Sequence, residues 1–156
     1  MRDFQLWTGF QSGADIGAAR AAKKCGVFVT GWMPRGYLTE DGPKPEYAIE
    51  YNALEHSSFQ YPPRTEENIK NSTGIIVFGD PNSKGSSLVR RLNWRYRLPL
   101  LGVEVWGDTE RAAKWLVSHN IKRLFVGGNR ESKSPGIAQQ VEDFMSDIFL
   151  RLKDLT

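Results

Sequence analysis

FQLWTGFQSGADIGAARAAKKCGVFVTGWM, residues 4–33, holds two apolar runs with a different pattern between them. FQLWTG (4–9) and VFVTGWM (27–33) are rich in aliphatic and aromatic residues and too short for buried helices, so both read as strands. ADIGAARAAKKCG (14–26) places alanines at helical spacing and ends on Gly26, a residue suited to a helix C-terminus. Strand, helix and strand in succession form a crossover unit, which implies parallel pairing.

The alternation continues along the chain. GIIVFG (74–79), PLLGVEV (99–105) and RLFVGG (123–128) supply three more strands, and all five runs are nearly continuous in apolar residues. Such runs suit strands covered on both faces. Helical patterns occupy 64–72, 85–98 and 108–120, the last opening on Asp108 as a candidate N-cap. A final helix aligns Ile137, Val141, Phe144, Ile148 and Leu152 on one face. The predicted fold class is α/β: a single Rossmann-like three-layer domain over residues 1–156 with a mostly parallel five-stranded sheet. Residues 34–63 break the rhythm, with five of the eight prolines and one short helical pattern, AIEYNALEH. A connection of that length is usually functional or mobile, and this one is placed to close over a ligand.

Composition narrows the class. Hydrophobic residues make up 40% and charged residues 25% of the 156, the balance of a folded chain. No apolar run approaches the roughly 20 residues of a membrane span, and the first residues lack a signal-peptide pattern. The single cysteine, Cys25, cannot form an internal disulfide, and no Cys/His cluster has metal-ligand spacing. A cytoplasmic setting is expected. The net charge of +3 suits an anionic ligand but is too small to argue for nucleic acid, which is not expected as a partner. Cys25 is expected to be buried, and His56 and His119, which lack partners at suggestive spacing, to lie on the surface.

Ligands of open α/β sheets bind beyond the carboxyl ends of the strands. Four of the five strand ends carry glycines with hydroxyl, amide or cationic residues: 8–15, 32–36, 79–87 and 127–132. Glycines admit a ligand close to the backbone, helix N-termini offer N–H donors, and Arg or Lys adds charge-assisted bonds. None of these turns is a G-x-G-x-x-G or Walker sequence, so a generic dinucleotide or ATP site is not indicated.

Five ordered blocks, TGFQSGADIGAARAA, GWMPRGYLTEDGP, RTEENIKNSTGIIVFG, KGSSL and VGGNRESKSPGI, resemble the molybdenum-carrier family. That family is grouped as circularly permuted YpsA-related members of the SLOG superfamily, and the likeness spans almost the whole chain. The resemblance implies a pocket for a nucleotide-derived or similar anion. The carrier name implies molybdenum cofactor, a pterin phosphate, as possible cargo, with no resident cofactor required. The ligand-facing positions it implies are Gly9, Gln11, Ser12, Gly13 and Asp15; Trp32, Arg35, Glu40 and Asp41; Arg64 and Glu66; Gly85, Ser86 and Ser87; and Arg130, Glu131 and Ser132. Phe10, Met33 and Lys84 depart from the family pattern. Phe10 is expected to narrow the pocket or stack on a ligand ring, and Met33 removes a thiolate that relatives could offer a metal.

Three functions follow. The first is a carrier or sensor holding a small anionic ligand. The second is a nucleotide N-glycosidic hydrolase similar to phosphoribohydrolases, but the matching turn, SKGSSLVR, has no acid where those enzymes carry a glutamate. Such an enzyme would recruit Glu40, Asp41 or Glu131. The third is a nucleic-acid or protein-interaction module using the basic helix 85–98, although the arginines of RRLNWRYR (90–97) do not all share one helical face. By analogy with related folds, a homo-oligomer is expected.

Overall fold

A computed structural model describes residues 2–156. The opening crossover forms as its pattern requires: β1 (Gln5–Trp7), α1 (Ala14–Lys24) and β2 (Phe28–Met33), with β1 and β2 parallel. Gly26 ends the turn after α1 with φ +73. The long connection then makes a small antiparallel hairpin, β3 (Leu38–Thr39) with β4 (Gly42–Pro43), separate from the main sheet. After α2 (Tyr47–Tyr51) comes β5 (Ala53–Glu55), followed by α3 (Tyr61–Lys70) and β6 (Gly74–Phe78). The chain continues through α4 (Lys84–Tyr96), β7 (Leu100–Val103), α5 (Thr109–Ser118), β8 (Arg123–Gly128) and α6 (Ile137–Leu155). Asp108 caps α5, its carboxylate accepting the Arg111 N–H at 3.1 Å.

The main sheet has six parallel strands, ordered β5-β2-β1-β8-β6-β7, one more than the five expected. The extra strand comes from the segment read as one helix, AIEYNALEH. Asn52 adopts a left-handed conformation (φ 57) and stops α2 after five residues. Its amide then donates to Val29 O at 3.2 Å, and its carbonyl accepts the Thr30 hydroxyl at 2.8 Å. Those bonds turn Ala53–Glu55 onto the edge of β2.

Alternate strand residues serve opposite faces. Leu6, Ile76, Phe78, Leu124 and Val126 join the core beneath α1, α5 and α6, whereas Ile75, Val77 and Phe125 pack with Ile69 and Val89 of α3 and α4. β6 therefore leads into a helix on one face, and its neighbour β8 into a helix on the other. The loops diverge there, so the carboxyl ends of the two strands form a topological switch point, where sheets of this kind place their ligand crevice. Among the described residues, no helix is long and apolar enough to cross a membrane.

Two departures from the family pattern point into this core. Phe10 is fully buried and stacks on Tyr51 at 5.9 Å between centroids, so its ring packs in the core rather than at a pocket surface, contrary to expectation. Met33 is also fully buried, so its position faces the interior. Cys25 is half-buried at the end of α1 rather than buried.

Candidate functional site

The turn after β1 sets the frame. Gly13 takes φ +86, and a side chain there would strike the Asn129 carbonyl, so β1 and β8 ends approach as only glycine permits. The Gln11 Oε1 accepts the N–H groups of Ser12 (3.0 Å) and Glu40 (2.8 Å), tying the β3–β4 hairpin to this turn.

Glu40 is the keystone of that tie. Its carboxylate accepts the Ser12 hydroxyl, the Ser132 hydroxyl at 2.5 Å and the Ser132 N–H at 3.2 Å. Ser12 Oγ in turn accepts the Glu131 N–H at 3.2 Å. Burial pushes the Glu40 carboxyl up, but the two hydroxyls, the Ser132 N–H and the Arg130 charge together hold it below the usual range. Residues from three separated blocks thus meet at one carboxylate.

Behind this tie lies a second, cationic group. Arg64, at the start of α3, is buried, and its guanidinium lies against Gly9 so closely that a Cβ there would force it to move. The Arg64 Nε is buried without a hydrogen-bond partner. The Tyr61 ring has the Arg64 guanidinium carbon 5.2 Å from its centroid and that of Arg130 at 5.0 Å. Asp15 is the nearby counter-charge. Burial raises its carboxyl to about 6, against the opposing pull of Arg64, the Thr8 hydroxyl and the N–H groups of Gln11 and Gly9. Burial likewise lowers the Arg64 pKa, with Asp15 raising it.

The carboxyl ends of β6 and β8 add neutral groups. Ser86, in the first turn of α4, is fully buried; its N–H bonds Ser83 Oγ at 3.2 Å and its own hydroxyl has no partner. Asn129 donates to Ser134 Oγ at 3.0 Å, leaving a buried Oδ1 unpartnered 3.1 Å from where a Gly79 Cβ would lie. The Gln11 Nε2 is also buried and unpartnered. Buried polar atoms are nearly always satisfied, so unpartnered ones on Gln11, Arg64, Ser86 and Asn129, all at strand ends or the helix starts beside them, are unusual.

The structure thus brings together Gly9, Gln11, Ser12, Gly13, Asp15, Glu40, Arg64, Arg130 and Ser132, with Ser86 on the adjoining α4. Gly85 and Ser87 flank Ser86 on the exposed side of the same turn. The others turn elsewhere. The Glu131 carboxylate caps α6, accepting the N–H groups of Gly136 (2.5 Å) and Ala138 (3.0 Å). Glu66 pairs with Arg95 and the Tyr96 hydroxyl, both at 3.1 Å. Arg35 lies over the exposed Phe59 ring. Asp41 lines a groove with Arg20, Lys44 and Tyr47 that Ser12, Gly13 and Glu131 also border, whereas Glu40 bonds Ser12 and Ser132. Trp32 is pinned through its main chain by Asn68, at 2.7 and 3.1 Å, with its ring edge-on to half-buried His56. His119 is exposed.

Sequence reasoning passed over Tyr61 and Asn129. Each had a faint signal: Tyr61 precedes the Pro-Pro that opens α3, and Asn129 follows the paired glycines of β8. Among the described residues, no group of three or more His, Cys, Asp or Glu could hold a metal ion. The donors that converge here are guanidinium, hydroxyl, amide and main-chain N–H groups, which suit oxyanions.

Comparison with known proteins agrees with this architecture. A crystal structure from Syntrophus aciditrophicus SB, described as a "putative molybdenum carrier protein", is 34% identical, with a TM-score of 0.83 over 94% of each chain. None of the curated proteins compared with the chain matches it. The model of the circularly permutated YpsA SLOG family matches residues 6–149. The chain belongs to that family.

Proposed function

We propose that this protein is a carrier or sensor that binds a small anionic ligand, nucleotide-derived or pterin-phosphate, above the carboxyl ends of β1, β8 and β6. The observation that carries the reading is Arg64: a buried guanidinium with an unpartnered Nε, held against a glycine, with Arg130 across the Tyr61 ring. A buried cation is costly unless an anion and hydrogen bonds complete it, and with Asp15 as its counter-charge the Arg64 Nε still lacks an acceptor. A phosphate reaching this group would supply further negative charge and the acceptors it lacks. If molybdenum cofactor is the cargo, its phosphate is the group these residues would hold. The name of the Syntrophus structure supports that version.

The binding reading is favoured over N-glycosidic hydrolysis by where the acids go. Glu40 is engaged by Ser12 and Ser132, and Glu131 by the N–H groups at the start of α6, so neither carboxylate is left free for acid–base work. The test is native mass spectrometry of the purified protein, followed by identification of anything released on denaturation. The expected result is a bound phosphate-bearing small molecule. If the protein is empty, calorimetry against a panel of nucleoside phosphates, scored also for base release, replaces it. Binding without release supports the reading; release of free base, or no binding at all, overturns it.

A further inference from the structure

The basic stretch RRLNWRYR has no part in the crevice, and the fold sorts its cations. Arg95 turns towards α3 and pairs with Glu66 at 3.1 Å. Arg90, Trp94 and Arg97 recur at helical spacing on another stripe and, with Asn93 and Leu100, line a shallow, open depression of about 500 Å³ beside β7. Trp94 is 77% exposed, with the Arg97 guanidinium carbon 5.7 Å from its ring centroid. Arg90 reaches over the strand itself: a Cβ at Gly102 would lie 2.9 Å from its Nη2. Asn93 is buried and exchanges two 3.0 Å bonds with the main chain of Leu98, which fixes the floor of the hollow. Neither Arg90 nor Arg97 has a carboxylate partner among the described residues.

β7 is an edge of the sheet. Ile75 N–H bonds the Pro99 carbonyl and Gly79 N–H bonds that of Val103, so in this parallel register residues 99, 101 and 103 turn their main-chain groups to β6. Leu100 and Gly102 turn theirs outward, beside the two unpaired arginines and the exposed indole. Unpaired edge groups are a template for an added strand.

We infer that β7 and the Arg90–Trp94–Arg97 stripe form a docking surface for an extended, acidic segment of another protein, which adds to the sheet beyond β7. Main-chain bonds at Leu100 and Gly102 hold the segment, its carboxylates meet Arg90 and Arg97, and an apolar side chain covers Trp94. Charge decides against a second copy of this chain, because symmetric pairing of β7 with β7 would set the same arginines against one another. A polynucleotide would use the cations and the indole but leave the outward N–H and C=O groups of the edge unused.

The test uses the whole protein and fluorescently labelled peptides alternating Glu with Val or Phe, read by anisotropy. Controls are the same peptides with Lys for Glu, peptides N-methylated on alternate amides, and single-stranded oligothymidylate. The acidic peptides are expected to bind, and the Lys and N-methylated forms are not. Arg90→Glu with Arg97→Glu should weaken binding about tenfold or more. Trp94→Ala should weaken it as well, while Arg91→Glu, off the stripe, leaves it unchanged. Circular dichroism checks that each variant is folded. The inference is overturned if no acidic peptide binds, if binding survives N-methylation or the double charge reversal, if only oligothymidylate binds, or if a dimer of the protein excludes the peptide.

Discussion

The guanidinium of Arg64 occupies the space that a side chain at residue 9 would need. The glycine after β1 therefore serves an arginine delivered from the start of α3, some fifty residues later in the chain. Gly9→Ala forces that buried cation aside, and overpacking of this kind costs about 1–3 kcal/mol. We expect a lower denaturation midpoint together with weaker ligand binding, read by denaturant melts and calorimetry. A variant with parental stability and affinity would show that Arg64 relocates freely.

Asp15 should titrate near 6 in the folded protein, observable as a carboxyl carbon resonance. Burial is the main cause and the Arg64 charge opposes it, so Arg64→Gln should move the midpoint higher still. The sign for stability follows from the raised value. Between 3.8 and about 6 the folded state keeps a proton that the unfolded chain releases, so stability falls as pH rises through that window. Two pKa units correspond to roughly 3 kcal/mol.

Glu40 works in the opposite direction. Its carboxyl lies below its ordinary 4.5, so its contribution is present above that value and disappears as the pH falls through the depressed one. Glu40→Ala should free the β3–β4 hairpin at neutral pH. Amide exchange of Lys44, bonded to the Tyr37 carbonyl, should quicken while the amides of β8 stay protected. Equal protection of Lys44 in parent and variant would mean that the hairpin holds itself.

Glu131→Ala should remove two bonds to the first N–H groups of α6 and lower stability by about 1 kcal/mol, as cap deletions do. The loss should appear in thermal melts whether or not ligand is present.

Ser86→Ala discriminates site from scaffold. The hydroxyl is buried without a partner, so deleting it should leave stability unchanged or slightly higher. Ligand affinity should fall by about 0.5–1.5 kcal/mol if the hydroxyl completes a hydrogen bond to the ligand. Unaltered affinity would remove this turn from the site.

The sheet was largely legible because its strands are covered on both faces and read as continuous apolar runs. β5 was not: Ala53-Leu54-Glu55 is short and continues a helical spacing, and only the left-handed Asn52, with its bonds to β2, separates strand from helix. At the site, residue types pointed to the right strand ends but not to directions. Adjacent Glu40 and Asp41 part company, and adjacent Glu131 and Ser132 serve a helix end and a hairpin latch, because a turn sends neighbouring side chains to different partners. Phe10 shows the same limit, since its positive φ of 59 turns a bulky residue inward where glycine was the family pattern.

The sheet order carries a consequence for synthesis. β1 and β6 never touch; β8, late in the chain, is inserted between them and joins β5-β2-β1 to β6-β7. Arg64 and the β1 turn emerge early from the ribosome, but Asn129, Arg130 and Ser132 follow only after β8. A nascent chain therefore carries an incomplete cradle and two half-sheets with open inner edges. Until residues 123–128 close that seam, those edges are exposed to mispairing, and Arg130 and Ser132 cannot join Arg64 and Glu40 before the last strand is in place.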